Sequence, residues 1–235
     1  MKNIVAFLIM IMTMTQCTSA KQNVVIATYD KTIAIPAAIN AIEDVNVRKM
    51  AIEQLKSRSC TFTMVFNGKQ YGFYTGQKAT NGSAVVSGDN SIYIDFTAGK
   101  EMSQKSILDK SYVVEGQYTA SQWEINKQKT AVINGRKCVK ASLKGDSSTV
   151  AWYCPDIPCQ MGPNGLGGLP GLILKLETKS ATFQIKDLTL TADKPYKITS
   201  AQKGDNISQQ DFNRIRDKKL KDLGVSGSGV HIIKM

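Results

Sequence analysis

Most of the chain alternates apolar and polar residues, which is the pattern of a β-strand with one buried face. The alternation runs through residues 23–33 and returns at 61–66, where Asn67-Gly68 provides a strong hairpin turn before residues 70–75. Further alternating segments, separated by turn residues, lie at 91–96, 112–115, 123–125, 137–144, 149–154, 172–178 and 181–190. Because consecutive strands joined by short turns pair antiparallel, we expect a curved antiparallel sheet of roughly eight strands.

Two segments have helical spacing instead, one near each end of the chain. Apolar residues recur at this spacing after Pro36, which predicts a helix over 36–56 whose apolar face caps the sheet. A basic amphipathic helix is predicted over 208–223, with Ser208 as its N-cap. We expect it to dock on the sheet with its charges in water, the alternative being a membrane-surface helix. The predicted fold class is α+β, mainly β: a half-barrel-like sheet with an N-terminal and a C-terminal helix.

The first residues have the pattern of an export signal. Lys2 precedes an uncharged apolar stretch at 4–14, and small residues up to Ala20 form a cleavage site. The stretch is shorter than the ~20 residues that a membrane-spanning helix needs, so a signal peptide is favoured over an anchor. Lipidation at Cys17 is disfavoured, because Gln16 stands where a lipoprotein signal usually has a small residue.

The remaining chain is long enough for one domain with a substantial core. We divide the whole sequence into a signal peptide (1–20), a β-rich domain (21–200), and a C-terminal helix and tail (201–235). The tail is expected to end in a short strand at 230–233. The formal net charge of +11 favours anionic partners in general, and a solvated basic surface is its simplest explanation. An exported protein would meet anionic glycolipid or acidic polysaccharide rather than nucleic acid, so no nucleic-acid partner is expected.

The mature chain has four cysteines, and an even number in an exported protein favours disulfides. Three connectivities are possible; Cys154 and Cys159 can close a small loop, which leaves Cys60 to pair with Cys138. A zinc site is the weaker alternative, because the spacing is not CxxC and His231 is the sole histidine. A redox-active pair is less favoured still, since no CxxC begins a helix. No metal and no cofactor are predicted.

Residues 154–173 are rich in proline and glycine and interleaved with apolar side chains, which predicts a long structured loop. The loop is expected to pack over a sheet face or to line the mouth of a cavity. Its glycines do not follow GxGxxG and no helix follows them, which excludes a nucleotide-binding loop. The predicted binding residues are Trp152, Ile157, Pro158, Gly168, Leu169, Pro170, Gly171, Leu172 and Ile173.

The candidates for catalysis are few, and none is predicted. A Ser-His-Asp or Cys-His arrangement would have to use His231, close to the end of the chain. The carboxylates of Glu115, Glu124, Asp156 and Glu177 have no spacing that selects an acid–base pair, so solvated or turn-capping roles are favoured. Among the aromatic residues, Trp152 is expected in the core, whereas Trp123 fits the core and a ligand pocket equally well.

The run Gly168-Leu-Pro-Gly-Leu-Ile173, preceded by Trp152-Tyr153 and Ile157-Pro158, resembles the GLPGLI family of secreted proteins from Bacteroidetes. The resemblance is strongest over residues 100–180. It implies an exported protein, periplasmic or associated with the outer membrane, and it supplies no catalytic residues. Cys154 and Cys159 stand where many members have other residues, which supports a local disulfide rather than a metal site.

Three functions are compatible with these features. The first is a non-enzymatic periplasmic carrier that holds an apolar or amphipathic ligand, such as a lipid, between sheet and loop. The second is an accessory protein that docks on an outer-membrane transporter and has no ligand cavity. The third, a hydrolase, is the least favoured, because no carboxylate can be nominated.

Overall fold

The computed structural model describes residues 24–57, 59–75, 82–191 and 196–222. The predicted signal peptide, Cys17, the tail strand and His231 lie outside the described residues, and the division at residue 200 stays a prediction. The helices of the described part are α1 (Ala37–Asn40), α2 (Val45–Lys56) and α3 (Gln209–Asp222), with a 3-10 turn at Pro163–Gly165. The strands are β1 (Val24–Ile33), β2 (Cys60–Phe66), β3 (Gln70–Thr75), β4 (Ser83–Val86), β5 (Ile92–Asp95), β6 (Lys100–Ile107), β7 (Lys110–Gln117), β8 (Trp123–Ile133), β9 (Arg136–Leu143), β10 (Asp146–Cys154), β11 (Leu172–Glu177), β12 (Ala181–Thr191), β13 (Lys197–Ser200) and β14 (Asp205–Ser208).

Twelve strands form one open, curved sheet in the order β14-β7-β6-β5-β3-β2-β1-β12-β11-β10-β9-β8. Neighbouring strands are antiparallel except β14, which runs parallel to β7. The strands β13 and β4 form a separate parallel pair. The predicted fold class is confirmed: the described chain is α+β and mainly β, with more strands than the sequence predicts. The first strand, β1, lies in the middle of the sheet between β2 and β12.

The side chains of β1 alternate between two hydrophobic cores, one on each face of the sheet. Val25, Ala27 and Tyr29 belong to the larger core, which the Pro/Gly-rich loop covers. Val24 belongs to a smaller core on the other face, which the β4–β13 pair covers. Because successive side chains of a strand point to opposite faces, a strand covered on both sides buries nearly every residue.

The N-terminal helix differs from the prediction in two ways. It is divided into α1 and α2, because the Asp44 side chain accepts hydrogen bonds from the Asn46 and Val47 amides and begins a new helix. Its apolar face does not cap the sheet: among the described residues of α1 and α2 none is buried, and Val47 and Met50 are 52% and 69% exposed. The prediction of a sheet-capping helix is therefore wrong.

The C-terminal helix α3 docks on the sheet as expected. Ser208 precedes it, and its hydroxyl accepts a hydrogen bond from the Asp211 amide at 3.0 Å, as an N-cap does. Phe212 is buried and its ring meets the Tyr112 ring of β7 edge-on, 5.9 Å between centroids. Within the described ranges, no helix is both long enough and apolar enough to cross a bilayer.

Candidate functional site

The Pro/Gly-rich loop, residues 154–171, is part of the larger core. The side chains of Ile157, Met161 and Leu169 are at most 1% exposed. The loop closes on itself through backbone contacts, among them the Gly168 amide to the Gln160 carbonyl at 2.9 Å. A loop with this much buried apolar surface stabilises the sheet it covers.

Three aromatic side chains hold the loop and the start of β11 to the rest of the sheet. The fully buried Tyr71 hydroxyl of β3 donates to the Gly162 carbonyl at 2.8 Å and accepts from the Gly165 amide at 3.1 Å. The Tyr29 hydroxyl of β1 donates to the Ile173 carbonyl at 2.7 Å, just beyond the loop. The Trp123 indole N–H donates to the Gly167 carbonyl at 2.9 Å. Burial raises the pKa of both tyrosines well above the ordinary value, so both hydroxyls keep their protons.

Two glycines of the Gly-Leu-Pro-Gly motif are required by close backbone approaches. A Cβ on Gly171, whose φ is +153°, would overlap the Cys154 carbonyl oxygen. A Cβ on Gly168, whose φ is +95°, would overlap the carbonyl oxygen of Ser121. These motif positions are therefore explained by the folding of the loop against its neighbours.

The nine residues predicted to bind ligand are divided between core and surface. Four are almost completely buried in the larger core: Ile157, Leu169, Leu172 and Ile173. Gly171 is also buried, Trp152 is half-buried, and Pro158, Gly168 and Pro170 are exposed. All nine lie in the described part of the chain, and none of them lines the cleft between the sheet and α3.

The four described cysteines have free thiols, so neither predicted disulfide is formed. The pairing of Cys60 with Cys138 is wrong for a topological reason. Cys60 is exposed at the start of β2, whereas Cys138 is buried on β9, and β1, β12, β11 and β10 lie between those strands. The Cys159 thiol does not pair with Cys154 either, and it donates to the Met161 carbonyl at 3.7 Å.

A cleft of about 650 Å³ lies between the sheet, the 3-10 turn and α3, and we call it the helix–sheet cleft. Alternate residues of β6 share one face of the strand, and four residues of this face line the cleft: Glu101, Ser103, Lys105 and Ile107. Its full lining is Thr75, Asp89, Asn90, Ile92, Glu101, Ser103, Gln104, Lys105, Ser106, Ile107, Asn164, Gln209, Phe212 and Arg216.

The other walls of the cleft come from distant parts of the chain. Asn164 reaches it from the 3-10 turn in a left-handed conformation, φ 59°, which asparagine tolerates better than most residues. Gln209, Phe212 and Arg216 reach it from α3, where their spacing places them on one helix face. The Pro/Gly-rich loop therefore contributes to the cleft through its tip, while its apolar motif residues are core.

The charged groups of the cleft are partly removed from water. The Lys105 ammonium donates to the Gln209 side-chain oxygen at 2.9 Å and lies 5.4 Å from the centre of the Phe212 ring. Burial lowers the pKa of Lys105, Glu101 opposes that shift, and Arg216 adds to it. Burial raises the pKa of Glu101, and Lys105 opposes that shift. A carboxylate and an ammonium group held at an apolar wall can orient a small polar or charged group of a ligand.

The carboxylates named from the sequence do not meet in one site. Glu115, Glu124 and Asp156 are exposed, and Glu177 pairs with Lys175 at 2.7 Å. Glu101, which with Asp89 is one of the two carboxylates that line the cleft, is not selected by the sequence pattern, because residues 100–107 alternate too weakly to indicate a strand. Among the described residues, no group of His, Cys, Asp or Glu side chains is arranged to hold a metal ion.

Comparison with known proteins gives one family match. Residues 62–175, from β2 into β11, match the model of the family described as protein of unknown function (Porph_ging), which is compatible with the resemblance to the GLPGLI family. The match includes β6 and the Pro/Gly-rich loop but not β1 or α3. No curated protein matches the chain. A little under half of this chain is therefore similar to a family of unknown function, and the match supplies no ligand, partner or activity.

Proposed function

We propose that this chain is an exported, non-enzymatic binding protein of the GLPGLI type that holds an amphipathic ligand in the helix–sheet cleft. The observation that carries the proposal is the composition of the cleft, where apolar and charged groups stand side by side. Ile92, Ile107 and Phe212 form an apolar wall, and Glu101 and Lys105 stand beside it. The volume of about 650 Å³ is within the range of sites for small organic ligands.

The two kinds of wall select the ligand class. A purely apolar ligand would displace water from Glu101 and Lys105 without offering either group a new hydrogen bond, which costs free energy. A purely polar ligand would gain nothing from contact with the half-buried Ile92 side chain in the cleft lining. A ligand with an apolar body and one ionic or strongly polar group satisfies both walls, and lipids are one source of such molecules.

The proposed location is the periplasm or the outer membrane. It is supported by the signal-like residues 1–20 and by the Gly168-Leu-Pro-Gly-Leu-Ile173 motif. The basic net charge of +11 fits an envelope rich in anionic glycolipid.

Native mass spectrometry of residues 21–235, purified from the periplasm without detergent, tests the proposal directly. An added mass that disappears on unfolding supports it and identifies the ligand class. A ligand-free mass in protein that also fails to bind added amphiphile contradicts it.

A matched pair of variants tests the place of binding. Titration with 1-anilinonaphthalene-8-sulfonate, an apolar ring system with one anionic group, should show saturable binding to the wild type. Arg216→Ala removes a cleft cation and should weaken binding, whereas Arg214→Ala, on the same helix but paired with Asp211 outside the cleft, should not. Equal affinities for both variants would place the probe elsewhere.

The accessory-protein hypothesis has a separate observation in its favour. Helix α2 exposes Val45, Val47 and Met50 at 63%, 52% and 69%, more apolar surface than a short helix usually leaves in water. Crosslinking in the native envelope tests it: a partner captured through α2 would support docking, and capture that survives Met50→Lys unchanged would argue against it.

A further inference from the structure

Two buried cysteines stand at neighbouring positions of adjacent strands. The ladder between β9 and β10 pairs Ala141 with Ala151 and Val139 with Tyr153. The ladder ends at Tyr153, and the same register continued by one residue places Cys138 opposite Cys154. Both are 0% exposed and both belong to the larger core.

We propose that Cys138 and Cys154 form a cross-strand disulfide when the chain folds in the presence of a disulfide-bearing oxidant. Directly opposite residues of an antiparallel pair have Cα atoms about 4.5 or 5.5 Å apart, and both values are within the range that a disulfide spans. The two thiols also interact electrostatically: the pKa of Cys138 is raised to about 11, chiefly by burial, and the nearby Cys154 thiol is the second cause.

The Cys138 thiol donates to the Arg136 carbonyl at 3.5 Å, a weak contact that is lost when the disulfide forms. The other two described cysteines are placed differently. Cys159 hydrogen-bonds the Met161 carbonyl and lies near the Tyr29 and Tyr71 hydroxyls. Cys60 is exposed at the start of β2, on the far side of β1. The proposed pairing therefore differs from both pairings expected from the sequence, and it leaves Cys60 and Cys159 as thiols.

The reaction is a thiol–disulfide exchange in two steps. One cysteine thiolate attacks the oxidant's disulfide, forms a mixed disulfide and releases the first oxidant thiol. The second cysteine thiolate then displaces the other oxidant sulfur, which leaves as a thiol. The protein loses two electrons and two protons, and the oxidant's two sulfurs gain them.

The burial of both thiols sets when the bond can form. In the folded, reduced protein neither sulfur is accessible, and the high pKa of Cys138 keeps that thiol protonated. The exchange therefore takes place during folding, before the loop covers the strands. Once formed, the bond joins the start of the Pro/Gly-rich loop to β9 and is shielded from reductant.

Peptide mapping of the wild type tests the pairing. Reduced, denatured residues 21–235 are refolded with oxidised and reduced glutathione, alkylated and cleaved with trypsin. The expected product is the peptide 138–140 joined to the peptide 145–175, with fragmentation assigning the link to Cys154. A link between Cys154 and Cys159, a link to Cys60, or full alkylation of all four cysteines would overturn the proposal.

Paired stability measurements test whether the disulfide stabilises the protein. They do not depend on how well a variant folds, because each protein is compared with its own reduced form. For each protein the thermal midpoint is compared between its oxidised and reduced forms. We expect the oxidised wild type to unfold about 5–10 °C higher, from a loop of roughly 15 residues, and Cys60→Ser to keep that difference. The difference should vanish in Cys138→Ser; a shift that persists there would overturn the pairing.

Discussion

Replacing Tyr71 by phenylalanine isolates the contact between the Pro/Gly-rich loop and the sheet. The ring keeps its volume, while the Gly162 carbonyl and the Gly165 amide each lose a hydrogen-bond partner. Tyr71 is 0% exposed, so water does not easily replace its hydroxyl.

The expected cost follows from those two groups. Leaving a buried polar group without a partner costs about 1–3 kcal/mol, so two such groups lower the free energy of unfolding by about 2–4 kcal/mol, part of it recovered by local relaxation. That is a large fraction of the stability of an ordinary domain.

Chemical denaturation with linear extrapolation measures this loss. The matched control is Tyr93→Phe, whose hydroxyl accepts one hydrogen bond from the partly buried Gln70 side chain at 2.8 Å. There water can replace the lost partner, so we expect a loss below about 1 kcal/mol. If the two variants lost the same amount, the loop would not depend on the Tyr71 hydroxyl.

Three further predictions follow from the loop, the cleft and the thiols. Gly171→Ala should lower the free energy of unfolding by about 3 kcal/mol or more in the same assay, because the added Cβ would overlap backbone atoms at a φ of +153°. The control is Gly116→Ala, which should lower it by less than about 1 kcal/mol because the space around Gly116 is open. Burial raises the pKa of Glu101 above 4.5, so the folded state binds the Glu101 carboxyl proton more tightly than the unfolded state does. The stability that this protonation contributes is present below about pH 4.5 and is lost as the pH rises through the folded pKa. Glu101→Gln should therefore gain stability over the wild type at neutral pH and lose that advantage in acid; parallel pH profiles would contradict this. In the folded, reduced protein iodoacetamide at about pH 8 should label Cys60 and spare the three buried thiols, and mass spectrometry showing more than one label would contradict the burial of the others.

The strands that can be predicted from the sequence are those with a regular run of strand-forming residues or an explicit turn. The Asn67-Gly68 hairpin is confirmed, and so is the strand beginning near Val24, although both of its faces are covered. The strand β6 could not be predicted, because one of its faces carries Glu101, Ser103 and Lys105 into a cleft rather than apolar residues into a core. A site that needs polar side chains on a buried face removes the signal by which a strand is found.

The motif shows where local sequence leaves two interpretations open. The Gly168-Leu-Pro-Gly-Leu-Ile173 run is compatible with a loop that binds a ligand and with a loop that packs over a sheet face, because both are rich in glycine, proline and apolar residues. Its leucines and isoleucine are in the core, and its glycines allow close packing of backbone on backbone. Local sequence cannot distinguish a loop that covers a ligand from one that covers its own sheet, since both need apolar side chains and positive φ angles.

The helix over 36–56 shows how periodicity alone can mislead. Its apolar residues have helical spacing, and helices do form there, but the sheet face that they would cover is occupied by the Pro/Gly-rich loop on one side and by β4 and β13 on the other. Which element covers a given face is decided by contacts between residues distant in the chain, and these leave no local pattern.

The central position of β1 has a consequence for how the protein folds. This strand is synthesised before the other strands of the sheet, yet one of its two partners, β12, follows much later in the chain: Val24 pairs with Thr191. Until β12 is available, the hairpins on either side can form only as two separate half-sheets, each with an open edge. Long-range pairing of this kind slows folding and prolongs the exposure of unpaired strand edges. Variants that weaken β1 would therefore lose yield through aggregation before they lost the stability of molecules already folded.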